Sequence, residues 1–105
     1  MKYLLLVYGG AHEGVEPTEE IIDSGELIDH APVADPINAT TVRVRDRAVT
    51  TAAGPYLESG ERLAGYLVVD CDGAEQAIAI AARLPAAGTG AVEVRPLMGS
   101  NGMEM

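Results

Sequence analysis

The chain begins with a nearly unbroken hydrophobic run, KYLLLVY at residues 2–8, which is followed by a Gly-Gly pair. A short apolar run bounded by a turn is typical of a strand buried in the centre of a sheet. The run is shorter than the usual apolar core of a secretory signal, which spans about 7–15 residues. We therefore expect a first strand over Lys2–Tyr8, followed by a polar loop over 9–16.

The next segment, PTEEIID at residues 17–23, has the composition of a helix start. A proline lies near the first position and acidic residues occupy the first turn. Ser24-Gly25 should end this helix after about two turns. Because so short a helix is not stable alone, Ile21 and Ile22 are expected to hold it against the sheet.

Polar and apolar residues alternate strictly in TTVRVR at 40–45. On a strand this spacing places Val42 and Val44 on one face. The opposite face then carries Thr41, Arg43 and Arg45. Asp46-Arg47 follows as a turn into residues 48–51, which predicts a hairpin.

The remaining apolar segments predict further strands at 26–31, 66–69 and 91–95, and one longer helix. Asp72 should cap this helix, with Glu75 three places on, and Pro85 should end it. Its apolar positions recur at i, i+3, i+4 and i+7 and should face the core. They are Ala74, Ala77, Ile78, Ala81 and Leu84. Residues 99–105 are expected to form a loose tail.

The order of these elements predicts an α+β fold of ferredoxin-like type, β-α-β-β-α-β with an extra hairpin. The 105 residues suit one domain over 1–105. The chain has no Trp and no Phe, so its core is thin for a monomer. A homodimer would bury more apolar surface, and we expect one.

The charge balance narrows the choice of partners. Sixteen acidic residues against seven basic ones give a net charge of −9. Nucleic acid and anionic membrane surfaces are therefore not expected partners. No stretch approaches the ~20 apolar residues of a membrane span, and a cytoplasmic location is expected. Cys71 is the only cysteine, and we expect a small buried residue at a strand end.

Several segments, taken in order, resemble a known family. The most distinctive are Gly54-Pro55-Tyr56 and Gly65-Tyr66. The others are residues 1–3, 40–45, Glu58, 84–87 and 92–96. Together they resemble the YCII-related family, in the branch named after an Asp-Gly-Pro-Phe segment. The resemblance implies a dimeric α+β barrel, in which two sheets pack face to face and pockets lie between sheet and helices.

The chain departs from this family at the positions that would carry chemistry. Ala53 replaces the Asp of the Asp-Gly-Pro-Phe segment, and Tyr56 replaces the Phe. The wider family includes members with a His in the first helix and an Asp just after the second, a pair proposed for catalysis. Here the first helix is short and contains no His, and residues 84–87 (LPAA) supply no Asp. The resemblance therefore transfers no catalytic residue.

Candidates for proton transfer come instead from the residue types. His12 lies on a Gly-rich loop, His30 lies at the end of the second strand, and Tyr56 carries a hydroxyl in the turn. Each has a structural alternative: an exposed loop histidine, a surface or structural histidine, and a turn-packing ring. Asp29 and His30 are strand neighbours, so their side chains point to opposite faces and do not form a dyad.

Candidates for ligand binding are the charged residues Arg43, Arg45, Glu58 and Arg62. Arginines on one strand face could bind an anion with bidentate geometry. They could equally form ion pairs across a dimer interface or on a solvated face. His12, Glu13, Asp29, His30 and Asp35 have no metal-site spacing, so no metal is predicted. No motif indicates an organic cofactor.

Three functions remain open. The expected one is binding of a small organic molecule in a dimer-associated pocket, with cofactor-free lyase, isomerase or cyclase chemistry. The alternative is an accessory or regulatory protein without catalysis, since genes of this branch often accompany alternative sigma factors. The third is a structural relative that has kept no pocket.

Overall fold

Residues 1–9, 15–57 and 62–99, which the computed structural model describes, form an α+β structure. Its strands are β1 (Lys2–Tyr8), β2 (Leu27–Pro32), β3 (Thr40–Arg45), β4 (Ala48–Ala53), β5 (Leu63–Asp70) and β6 (Ala91–Pro96). Its helices are α1 (Glu19–Asp23), α2 (Ala74–Ala82) and α3 (Ala86–Thr89), with a 3-10 turn at Pro36–Asn38.

Four strands form one antiparallel sheet in the order β2-β5-β1-β6. With helices after the first and the penultimate of these strands, this is the ferredoxin-like arrangement, as predicted. β1 lies inside the sheet between β5 and β6, which confirms the expectation from its continuous apolar run. β3 and β4 form a separate two-stranded hairpin, which lies between β2 and β5 in the chain but outside the sheet in which these two strands pair.

One face of the sheet is covered and carries the core. Alternate residues of β1 and β5 point to this face and are almost fully buried. They are Tyr3, Leu5, Val7, Leu67 and Val69. The other face, which we call the open face, carries the residues between them. Its apolar members Leu4, Leu6 and Val68 are half-buried, because none of the described helices packs on them.

Helix α2 packs through a stripe that differs from the predicted one. Ala77, Ile80, Ala81 and Leu84 are buried, whereas Ile78 is 57% exposed and Ala74 is also exposed. Ala and Ile occur all around this helix, so the sequence offers two stripes of i, i+3, i+4, i+7 spacing. Contact with the sheet selects the one that begins at Ala77.

The start of α2 also differs from the prediction. Gly73, not Asp72, is the N-cap residue, and no side chain caps it directly. Instead the Gln76 side chain accepts a hydrogen bond from the backbone N–H of Asp72, at 3.1 Å. Pro85 follows the end of α2 as expected, and it is also the N-cap residue of the short helix α3, which the sequence did not predict.

Helix α1 is a single turn, capped by the Thr18 hydroxyl, which accepts from the Ile21 N–H at 3.3 Å. Ile21 is 1% exposed and anchors the helix, as predicted. The prediction for Ile22 was wrong, since its side chain is 52% exposed. Successive residues on a helix point about 100° apart, so one short turn buries only one of the two.

The β3–β4 hairpin, which we call the arm (residues 40–53), has the predicted register and turn. Val44 pairs with Val49 and Arg43 with Thr50. Asp46 and Arg47 have φ values of 51° and 66°, the two positive angles of a type I′ turn. The second strand extends to Ala53, two residues beyond the predicted end.

Smaller boundary differences affect the remaining strands. β2 is shifted by one residue, to Leu27–Pro32, and β5 begins earlier and ends later than predicted, at Leu63–Asp70. β6 extends by one residue to Pro96. Cys71 is buried directly after β5, as expected. The tail beyond Gly99 lies outside the described residues, and none of the helices described is long and apolar enough to cross a bilayer.

Candidate functional site

A cavity of about 710 Å³ lies where the arm joins the sheet. Tyr8, at the end of β1, and Leu63, at the start of β5, supply the wall on the side of the sheet. The segments that enter and leave the arm supply the remainder. The other lining residues are Val33, Ala34, Asp35, Pro36, Asn38, Ala39, Pro55, Leu57 and Arg62.

Backbone hydrogen bonds hold the two segments of the arm's base in place. The Val33 N–H donates to the Ala64 carbonyl at 2.9 Å, which fixes the entering segment to β5. The Gly54 N–H donates to the Ala39 carbonyl at 2.8 Å, which closes the base of the arm. Gly54 has a φ of +100°, a conformation that favours glycine. The Gly54-Pro55 turn therefore positions part of the cavity wall.

The charged pair of the cavity is Asp35 and Arg62. An Arg62 guanidinium nitrogen donates to an Asp35 carboxylate oxygen at 2.5 Å. Both side chains remain 40–51% exposed, so the pair contributes little to stability. The pair places two charged groups in a largely apolar wall.

Tyr8 brings a second polar group, which the sequence analysis did not identify. Its hydroxyl donates to the Glu93 carboxylate at 3.2 Å, and Glu93 in turn accepts from Arg95 at 2.9 Å. Burial raises the pKa of the Tyr8 phenol, the contact with Glu93 raises it further, and Arg95 lowers it in part. In the sequence, Glu93 and Arg95 are two positions apart on the last predicted strand and therefore share a face. That Tyr8 lies on the same face is shown only by the pairing of β1 with β6.

Of the residues predicted from sequence to bind ligand, Arg62 lines the cavity. Arg43 and Arg45 lie on the exposed arm and do not line it. The Arg43 guanidinium lies over the ring of Tyr56, 5.6 Å from its centroid, and Tyr56 is itself 67% exposed. The structure thus pairs Arg43 with Tyr56 but does not bring them to the cavity.

Three further candidates lie elsewhere. His12 and Glu58 fall outside the described residues. His30 pairs with Leu67 of β5 and is half-buried, and its Nδ1 atom is buried without a hydrogen-bond partner in the described parts of the chain. Its neighbour Asp29 accepts instead from the hydroxyl of Tyr66, at 3.1 Å on the open face. This confirms that Asp29 and His30 do not form a dyad.

The residues considered for a metal are also dispersed. His12 and Glu13 are not described, and Asp35 is engaged by Arg62. Within residues 1–9, 15–57 and 62–99, no three His, Cys, Asp or Glu side chains come together in a way that could hold a metal ion.

The fold and the cavity together define an α+β protein of ferredoxin-like topology, with an inserted hairpin whose base borders a mainly apolar pocket. A family model for the YCII-related domain matches residues 1–101, and the chain belongs to that family. The YCII-related family that the sequence resembles is thereby confirmed. A search of curated proteins finds no match.

Proposed function

We propose that this protein binds a small organic molecule in the cavity between the sheet and the base of the arm. The observation that carries the proposal is the cavity itself. Its volume of about 710 Å³ lies within the ~300–1,000 Å³ of typical small-molecule sites. A mainly apolar wall with a few converging polar groups is also typical of such sites.

The lining indicates the chemistry of the ligand. Val33, Leu57 and Leu63 suit an apolar body, while the Asp35–Arg62 pair suits one polar or charged substituent. A carboxylate on the ligand would compete with Asp35 for Arg62, and an amine would compete with Arg62 for Asp35. Tyr8 would donate or accept a hydrogen bond at the sheet end of the molecule.

Binding comes first because the cavity carries that proposal without any reacting group being assigned. Burial and the contact with Glu93 raise the pKa of the Tyr8 phenol, so this group stays protonated near neutral pH. Catalysis stays a second candidate because the protonated Tyr8 phenol lines the cavity, where it could act as a general acid. An accessory role without turnover fits the binding proposal equally well.

We propose further that the protein is a homodimer in which each copy covers the open face of the other. Leu4, Leu6 and Val68 form an apolar centre on this face, with none of the described helices over them. Two such faces packed against each other would remove this apolar surface from water.

The binding proposal is tested by titrating the protein with a fragment set of aromatic carboxylates and amines, using calorimetry or ligand-observed NMR. Ala39→Phe should fill the cavity and weaken binding of any hit at least tenfold. Its matched control is Ala79→Phe, on the exposed side of α2, which should leave binding unchanged. Equal affinity in all three proteins would place the ligand elsewhere and reject the cavity as the site.

Polar recognition and turnover need separate variants. Arg62→Gln should weaken acidic fragments more than neutral ones, whereas Arg83→Gln, at a surface pair with Glu20, should not. If a hit is turned over, Tyr8→Phe should reduce turnover by a larger factor than it weakens binding. Unchanged turnover in Tyr8→Phe would exclude that tyrosine as the acid.

A further inference from the structure

We propose that the arm packs the valine side of its hairpin on a second copy of this chain, beside that copy's open face. The inference rests on the homodimer proposed above and names the element that completes its interface. The valine face consists of Val42, Val44, Val49 and Thr51, which the register of β3 and β4 brings to one side. It carries no charged side chain.

The arm has little support from its own chain. The three valines are 54–67% exposed. β3 and β4 pack mainly on each other, and among the described elements none makes comparable contact with either. The radius of gyration is 15.6 Å, against about 13 Å expected for a compact chain of this length. An isolated two-stranded hairpin is only marginally stable in water. Its exposed apolar face is therefore typical of a surface that packs on a partner.

Charge favours the body of a second copy over its arm as the surface that the valine face meets. The arm carries Arg43, Arg45 and Arg47 against Asp46, a net charge of +2. The whole chain carries −9, so the residues outside the arm carry −11. Packing the two arms on each other would bring like charges together. Packing the arm of one copy on the body of the other brings opposite charges together.

The open face of the second copy has the matching chemistry. Its apolar centre is Leu4, Leu6 and Val68. The Asp29 carboxylate, which accepts from Tyr66, lies on edge strand β2, and the Glu93 carboxylate, which is paired with Arg95, lies on edge strand β6. An arm laid beside this face would extend its apolar centre. Arg43 and Arg45 project from the opposite side of the hairpin, so Arg47 in the turn is the arginine that this packing could bring near the carboxylates.

Interface size favours the same arrangement. From strand spacing and rise, a four-stranded face of this length covers roughly 450 Å², and one face of the arm roughly 200 Å². A stable specific interface buries about 800 Å² on each partner. One arm donated and one arm received would add about 400 Å² to this outline of about 450 Å² and so nearly double the contact on each partner.

The first test measures the dimer dissociation constant by sedimentation velocity. Val44→Asp combined with Val49→Asp should raise this constant at least tenfold, as should Leu6→Asp on the open face. Ile78→Asp is the matched control, because Ile78 is equally exposed but lies on the outer side of α2. It should leave the constant unchanged. Unchanged dimerisation in the valine variant, with weakening in Leu6→Asp, would overturn the arm inference and retain the sheet-to-sheet dimer.

A second test does not depend on how the double variant folds. A spin label is attached at Arg47→Cys in a Cys71→Ala background, and this protein is mixed with unlabelled, ¹⁵N-enriched chain. We expect intermolecular broadening at Asp29, Tyr66 or Glu93 of the enriched chain. A dimer without broadening there, or with broadening confined to the other arm, would overturn the inference. A wild-type chain that stays monomeric at millimolar concentration would overturn both this inference and the proposed dimer, while leaving the cavity proposal standing.

Discussion

Gly65 shows at the scale of one residue how closely strands β2 and β5 approach each other. A Cβ atom added at Gly65 would lie 2.5 Å from the Ala31 carbonyl oxygen and 2.6 Å from a Val15 methyl carbon. Neither neighbour can move easily, since Ala31 belongs to the paired strand β2 and Val15 is 1% exposed. The glycine is therefore required for the close approach of β5 and β2.

Gly65→Ala should lower the free energy of unfolding by about 2 kcal/mol, because overpacking forces the backbone apart. Gly88→Ala is the control, since a Cβ at Gly88 meets nothing within 4 Å and the residue lies in a helix. It should be neutral or slightly stabilising. Urea unfolding measures both, and equal losses in the two variants would refute the packing explanation.

At the scale of an element, α1 depends on one side chain. Ile21→Ala should destabilise the protein by about 3 kcal/mol, because it empties a fully buried site. Ile22→Ala, the adjacent and half-exposed control, should cost under about 1 kcal/mol. Chemical unfolding of both variants checks this. Similar losses would mean that Ile22 is buried by something outside the single chain.

The turn of the arm offers a prediction of the opposite sign. Asp46 and Arg47 both adopt positive φ, which costs energy for residues with side chains. The double variant D46N/R47G, which introduces the Asn-Gly pair that type I′ turns favour, should slow amide hydrogen exchange across β3 and β4 several-fold. The exchange of β1 should be unchanged. Faster exchange in the arm would show that the Arg47 side chain stabilises the hairpin by more than its backbone costs.

At the scale of the whole molecule, stability should depend on alkaline pH. The ordinary pKa values are 10.0 for Tyr8 and Tyr66 and 9.0 for Cys71, and all three pKa values are raised in the folded chain. Burial is the main cause for Tyr8 and Cys71, and the hydrogen bond to Asp29 is the main cause for Tyr66. Above about pH 9 the unfolded chain therefore releases protons that the folded chain retains.

The free energy of unfolding should consequently be unaffected by these groups below about pH 9 and should fall as the pH rises further. Tyr8→Phe and Tyr66→Phe should each make this decline shallower. Urea unfolding across the alkaline range, compared with the wild type, measures the difference. An unchanged slope in both variants would show that the two phenols titrate alike in the folded and unfolded chain.

Most of the fold followed from local patterns. The continuous run of β1, the strict alternation of β3 and the Asp46-Arg47 turn were sufficient to predict these elements correctly. The errors occurred where local composition is ambiguous. Ile22 and Ile78 were expected to be buried but are exposed. The sequence of a helix shows which residues share a side, but it does not show which side packs on the sheet.

Much less of the candidate site could be predicted. Arg62 was identified from its charge, and it lines the cavity with Asp35. Tyr8 was not identified as a site residue, because it is the last residue of an apolar strand and 85 positions separate it from Glu93. Contacts between residues on neighbouring strands cannot be predicted from the sequence of either strand.

Residue types and short-range periodicity were enough to establish the family, the order of the strands and of the first two helices, and the two faces of the arm. The packing of the folded chain established that Tyr8 meets Glu93, that Asp35 pairs with Arg62, and that a cavity lies at the base of the arm. It also decided that the valines of the arm lack cover within the described parts of their own chain. These features depend on distances between segments far apart in the chain, which only the packing of the sheet fixes.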